Sequence, residues 1–308
     1  MPNAPHWGWY IILYFFIGGL ASGLYFVGTL AALAGDPRDR PITRFAYRTV
    51  FPLVLACGFL LTIDLGKPLR FWHMLIQSER VPVPVLKYWA PMSLGSWALA
   101  IFAAFAAAAF VAALVDSGRI TSAFAMRAVE WSRARPKPVR LAFTLVGLFF
   151  ALFFGGYTGV LLVGTNVALW HHAQLLGVVF LLSATSTAYA LLIVVLRRRK
   201  ASDSATAISK LELADRYVIV LELVAIAVML IALGGVARPL ITGGFGVVFW
   251  IGVVGIGLIL PLLLPFARSR QLASRPLLGV TCVLAGALLL RFVVIMAPQW
   301  PNVTLWRL

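Results

Sequence analysis

Residues 9–34 read WYIILYFFIGGLASGLYFVGTLAALA, with no Asp, Glu, Lys, Arg or His among them. A transmembrane helix needs about 20 mostly apolar residues, because the hydrocarbon core is about 30 Å thick and a helix rises 1.5 Å per residue. This stretch meets that requirement. It does not read as a cleaved signal peptide: nothing basic precedes it, and the apolar region continues past the usual short length, so an uncleaved signal anchor is expected. Further runs of the same character follow at 45–65, 89–115, 139–163, 173–196, 214–237, 244–266 and 277–297. The expected architecture is all-α, a polytopic protein of eight transmembrane helices.

Composition supports the same solvent. Of 308 residues, 62% are hydrophobic and 12% charged, against ~45–50% and ~25% in soluble domains. An ordinary soluble enzyme, a disordered chain and a nucleic-acid module are excluded. The net charge of +16 is not gathered on one soluble face but lies between the apolar runs. Lys and Arg concentrate in the connections after the first, third, fifth and seventh runs, and Arg197, Arg198, Arg199 and Lys200 form the strongest single anchor. The positive-inside rule makes these connections cytoplasmic and both termini extracytoplasmic.

Two connections exceed a turn. Segment 116–138 carries Ile120, Phe124, Ala128 and Trp131 at helical spacing, with Arg119, Arg127 and Arg133 between them, which suits a helix lying in the membrane interface. Segment 64–88 reads DLGKPLRFWHMLIQSERVPVPVLKY. Its polar and aromatic mix fits a docking surface outside the membrane, and equally an interfacial aromatic belt.

Ligand chemistry is sparse. Cys57 and Cys282 sit inside apolar runs, and an iron–sulfur cluster needs about four thiolates. His6, His73, His171 and His172 lie near run ends rather than paired within spans, so neither haem nor a cluster is expected in this protein. Ionisable residues inside spans are costly and often functional. Glu222 lies in the sixth run, roughly 8–12 Å from its basic end at 1.5 Å per residue. Arg291 lies in the eighth, nearer the other side. The two helices run in the same direction, so depth alone does not bring the pair together. Each fits either a structural ion pair or a station on a proton route. Asp64 ends the second run, either capping the next turn beside Lys67 and Arg70 or serving as a surface proton acceptor. Tyr157 sits within Gly155-Gly156-Tyr157-Thr158-Gly159, where glycines allow close helix packing and a phenol can donate into a cleft. Gly19 and Gly23 in the first run suit helix packing. Ser183 and Thr187 are one turn apart and suit bonds within the bundle.

Several motifs resemble those of one family. Trp7-Gly8-Trp9-Tyr10 followed by Tyr14-Phe15-Phe16-Ile17-Gly18-Gly19-Leu20-Ala21-Ser22-Gly23 resembles the opening of the NrfD family, the polysulfide reductase membrane-subunit type. Asp64-Leu65-Gly66-Lys67-Pro68-Leu69-Arg70-Phe71-Trp72, Pro91-Met92-Ser93-Leu94-Gly95-Ser96-Trp97 and Gly156-Tyr157-Thr158-Gly159 resemble its motifs after span two and in spans three and four. Glu222 and Leu290-Arg291-Phe292 resemble its sixth and last helices; Ala297-Pro298-Gln299 stands where many members have Gly-Gln.

The resemblance implies a haem-free subunit of a respiratory redox complex in the inner membrane of a prokaryote. Two four-helix bundles, residues 1–170 and 171–308, are implied, with a quinone site in the first. Menaquinone or ubiquinone would bind near the extracytoplasmic face, where a ferredoxin-like iron–sulfur subunit docks and connects to a catalytic subunit, often molybdopterin-dependent. Carried over residue by residue, Tyr157 is the hydrogen-bond donor to a quinone carbonyl, with Trp7, Trp9 and Tyr10 lining the site and Gly19 and Gly23 leaving room for the ring. His6 corresponds in place to a histidine that helps hold the quinone in the polysulfide reductase branch, although the opening here differs from that branch. Asp64 is the proton relay at the rim, Glu222 and Arg291 lie on any transmembrane proton path, and Lys67, Arg70, Trp72 and His73 form the docking surface. Two other classes stay open on the residues themselves: a passive membrane anchor, and a secondary transporter, to which Gly252, Gly255 and Gly257 in the seventh run are the nearest hint.

Overall fold

A computed structural model describes residues 7–34, 36–75, 90–198, 204–264 and 276–299. These are almost entirely helical, with no strand among them. In lipid, backbone N–H and C=O groups have no water to bond, so a helix that pairs them internally is the local solution. The helices are α1 (Trp9–Ala34), α2 (Arg40–Asp64), α3 (Pro91–Val115), α4 (Ala123–Arg133), α5 (Lys137–Val163), α6 (Ala168–His172), α7 (Leu176–Arg198), α8 (Ser204–Leu233), α9 (Gly243–Leu263) and α10 (Pro276–Met296). Eight of them are long and apolar enough to cross a membrane, all except α4 and α6. The protein is a multi-pass membrane protein.

Prolines mark several starts. They occupy the first turns of α2, α3 and α5, where the missing N–H costs no intrahelical bond. The seventh span winds as a π-helix over Val248–Ile259 and continues unbroken through its glycines. Gly257 there meets Gly286 of α10 almost backbone to backbone.

The apolar core is continuous across the molecule. At its centre are α1 and α7, which pack on each other. Around them, α1 also contacts α2 and α5, and α7 also contacts α5, α8 and α10. Gly159 shows how tight this packing is: a Cβ there would lie 2.4 Å from the backbone nitrogen of Gly177.

The basic connections after the first and fifth spans meet at one end. Lys210, near the start of α8, pairs with Asp36 at 3.3 Å and Asp39 at 3.9 Å, between α1 and α2. Arg197 at the end of α7 pairs with Glu212. The Asp36 carboxyl is held below the usual carboxylate range, first by the backbone N–H of Arg38 and then by Lys210.

The sixth span begins earlier than its apolar run predicts. Helix α8 starts at Ser204, so Glu222 lies roughly 27 Å along it at 1.5 Å per residue, not one or two turns from its end. Arg291 is roughly 22 Å along α10 by the same measure. The two parallel helices therefore carry these charges at similar depth. The hydropathy pattern hid this because the first turns of α8, SATAISKLEL, are polar but still helical.

Candidate functional site

At the end of the molecule opposite the basic connections, the start of α1, the end of α2, the start of α3 and the end of α5 enclose a cleft with about 110 Å³ of free space. Its wall is mostly apolar, from Ile11, Leu61, Leu65, Met74, Met92 and Leu161. Its polar groups come from Asp64, Ser96, Tyr14, Tyr157 and the indole of Trp7. Asp64, Tyr157 and Trp7, far apart in sequence, thus meet at one site.

Each is held differently. Trp7 stacks on Trp170, centroids 5.2 Å apart and planes 18° apart. Trp170 is fully buried and donates its indole N–H to the Val294 carbonyl at 2.7 Å. Tyr157 is 4% exposed and donates its hydroxyl to the Pro91 carbonyl in the first turn of α3. Gly95 makes this possible, since a Cβ at that position would lie 2.3 Å from the Tyr157 ring. Asp64 is exposed at the rim. Among the described residues it forms no ion pair with Lys67 or Arg70.

Beside the rim, Pro68–Met74 forms a short 3-10 turn that presents Lys67, Arg70, Trp72 and His73, all exposed. Trp72 and His73 lie ring against ring at 3.7 Å, and His73 Nδ1 meets the Arg70 carbonyl at 3.1 Å. Ser93 and Ser96 of α3 pin the turn through the carbonyl and sulfur of Met74, at 3.3 and 3.8 Å.

Other expected residues lie elsewhere. Trp9 and Tyr10 are 45% and 49% exposed, and Trp9 stacks on Phe292 of α10 at 5.3 Å. Gly19 faces the Arg291 guanidinium: a Cβ there would stand 3.0 Å from Nη2. At Gly23 a Cβ would stand 2.2 Å from the Ala184 carbonyl of α7. The space these glycines leave is filled by α7 and α10, not by the cleft. His6 lies outside the described residues. His171 and His172 are exposed, with Nδ1 atoms on backbone carbonyls.

A second polar cluster lies deep between α7, α8 and α10. Arg291, 1% exposed, donates to Ser183 Oγ at 2.9 Å, the Ala287 carbonyl at 2.8 Å and the Phe180 carbonyl at 3.2 Å. Glu222 is also buried, and its Oε2 has no hydrogen-bond partner among the described residues. Two turns before Glu222, Asp215 accepts from Ser186 Oγ at 2.7 Å. Asp215 was missed from sequence. The available signal was the seven-residue spacing of Asp215 and Glu222, which puts both on one helix face. Among the described residues no group of three or more His, Cys, Asp and Glu side chains is placed to hold a metal.

The sequence model of the family described as "Polysulphide reductase, NrfD" matches residues 1–301. The chain belongs to the NrfD family. This NrfD-family protein is 30% identical to the C component of polysulfide reductase from Wolinella succinogenes, over 96% of its own length and 95% of the relative's. It is 29% identical to protein NrfD of Escherichia coli, over 95% of the length of each. A shorter match, 28% identity over 33% of its length and 21% of the relative's, links it to the C component of selenate reductase from Mesobacillus selenatarsenatis. Its family thus includes subunits of reductase complexes.

Proposed function

We propose that this protein is the haem-free membrane subunit of a respiratory redox complex in a prokaryotic inner membrane, exchanging electrons between menaquinone or ubiquinone and an extracytoplasmic iron–sulfur subunit. The observation that carries the reading is the cleft that joins Asp64, Tyr157 and Trp7. A quinone ring is flat and apolar with two carbonyls. Aromatic and aliphatic walls would take its faces, and a phenol would donate to one carbonyl. Met74 and Met92 line the cleft with flexible thioethers that can yield to a ring larger than the free space. The Tyr157 hydroxyl, now on the Pro91 carbonyl, would turn to the quinone.

Reduction of a quinone takes up two protons and oxidation of a quinol releases two. Asp64, at the exposed rim, would exchange them with water. The turn carrying Lys67, Arg70, Trp72 and His73 would dock the iron–sulfur subunit within electron-transfer reach of the ring. That subunit would connect to a catalytic subunit of molybdopterin type. Residues 1–170 would form the quinone-binding four-helix bundle and 171–308 a second. In the second, Glu222 and Arg291 would carry protons if transport across the membrane is coupled to the redox step.

The test is quinol-linked electron transfer in the assembled complex, measured beside the dye-linked activity of the catalytic partner. Tyr157→Phe and Asp64→Asn should slow the first and spare the second. Unchanged quinone kinetics in both would leave a passive anchor as the better reading.

A further inference from the structure

Helix α4 has one buried residue, Val129. Phe124 and Trp131, 84% and 64% exposed, fall nearly opposite Val129 at 100° per residue. Cations surround them. Arg133 is neutralised by Asp116, which accepts from it at 2.7 and 2.8 Å. Arg119, Arg127, Arg135, Lys137 and Arg140 have no acidic partner among the described residues. The Arg135 guanidinium instead stands 3.8 Å from the centroid of the Trp131 ring. Exposed aromatic side chains on a helix that also carries Arg127, with the Arg135 guanidinium over Trp131 and only Glu130 as a nearby acid on the helix, suit neither bulk water nor hydrocarbon.

We infer that α4 is a binding surface for anionic phospholipid headgroups in the leaflet on the basic side of the protein. Phe124 and Trp131 enter the boundary between headgroups and acyl chains, while Arg127 and Arg135 reach the phosphates. Charge complementarity selects this occupant. The surface carries an excess of cations, and an anionic leaflet supplies a dense plane of phosphates within a Debye length of them. The inference is independent of the cleft and of its proposed quinone.

The test uses the full-length protein in nanodiscs of phosphatidylcholine, with or without phosphatidylglycerol, built with brominated acyl chains. The difference in fluorescence between wild type and Trp131→Phe isolates Trp131. Trp131 should be quenched by bromines near the glycerol end, more strongly when phosphatidylglycerol is present. In detergent, R127Q/R135Q should weaken phosphatidylglycerol binding by roughly tenfold to thirtyfold, at about fivefold per cation, and leave phosphatidylcholine binding unchanged. Melting temperatures should match, showing an intact fold. If Trp131 is quenched by no brominated lipid, the face is turned to water or to a protein and the inference fails. Equal binding of the two lipids by wild type and R127Q/R135Q would overturn it as well.

Discussion

Gln299 holds the backbone of Trp7 in both directions: the Trp7 N–H donates to Oε1 at 2.9 Å, and Nε2 donates back to the Trp7 carbonyl at 3.3 Å. Nε2 also reaches the Ile295 carbonyl at 2.7 Å. The end of the last span thereby fixes a wall of the cleft built by the first four. Gln299→Leu keeps the bulk and removes the pairing. A buried group left without its partner costs about 1–3 kcal/mol, so the melting temperature in detergent should fall. The KM for quinone should rise more than kcat falls, because the wall is displaced and the reacting groups are not.

Tyr157→Phe keeps the ring stacked on Phe153, centroids now 5.8 Å apart, and deletes the hydroxyl. Loss of one such hydrogen bond should weaken quinone binding by about 0.5–1.5 kcal/mol. Turnover should fall further if the phenol also assists proton transfer. A quinone-analogue titration beside steady-state kinetics separates the two effects.

Gly95→Ala is predicted to act through Tyr157. A Cβ 2.3 Å from the ring forces either α3 or the phenol to move. Quinol-linked activity should fall at least as far as in Tyr157→Phe. The dye-linked activity of the partner should be unaffected. Wild-type quinone kinetics in Gly95→Ala would remove Tyr157 from the site.

Arg291 and Glu222 are both buried but form no direct ion pair among the described residues. An uncompensated buried charge is costly, so Arg291→Leu should lower thermal stability. The double variant R291L/E222L removes both charges and should recover much of that loss. Thermal unfolding of the two variants in one detergent checks the order. A double variant no more stable than Arg291→Leu would mean that the two charges do not compensate each other.

Reporter fusions test sidedness. Fusions within 116–138 and 200–210 should read cytoplasmic and a fusion at the C-terminus extracytoplasmic. The opposite pattern at both ends would move the cleft to the cytoplasmic face.

The spans were legible from sequence because each is a local response to lipid: backbone pairing and side-chain polarity are settled within one helix. The clustering of Lys and Arg in alternate connections was legible for the same reason. Tyr157, Asp64 and Trp7 were also singled out from sequence, through motifs that mark helix ends. Trp9, Tyr10, Gly19 and Gly23 carried the same resemblance, yet they face Phe292, open surface, Arg291 and Ala184. A motif names residues of one helix together, although they point in different directions around it.

Sequence alone determined the number of spans, the helical class and the NrfD membership. Tertiary structure alone decided which polar groups meet. The depth of Glu222 depended on where α8 begins, and polar first turns conceal that start from hydropathy. Arg291 found its partners beyond its own helix on α7, in Ser183 Oγ and the Phe180 carbonyl. The hydroxyl of Tyr157 found Pro91 only because Gly95 let α3 and α5 approach. Apolar periodicity says which face of a helix avoids the lipid, but rotation, depth and neighbour are set when the helices pack, and those three decide what each polar atom touches.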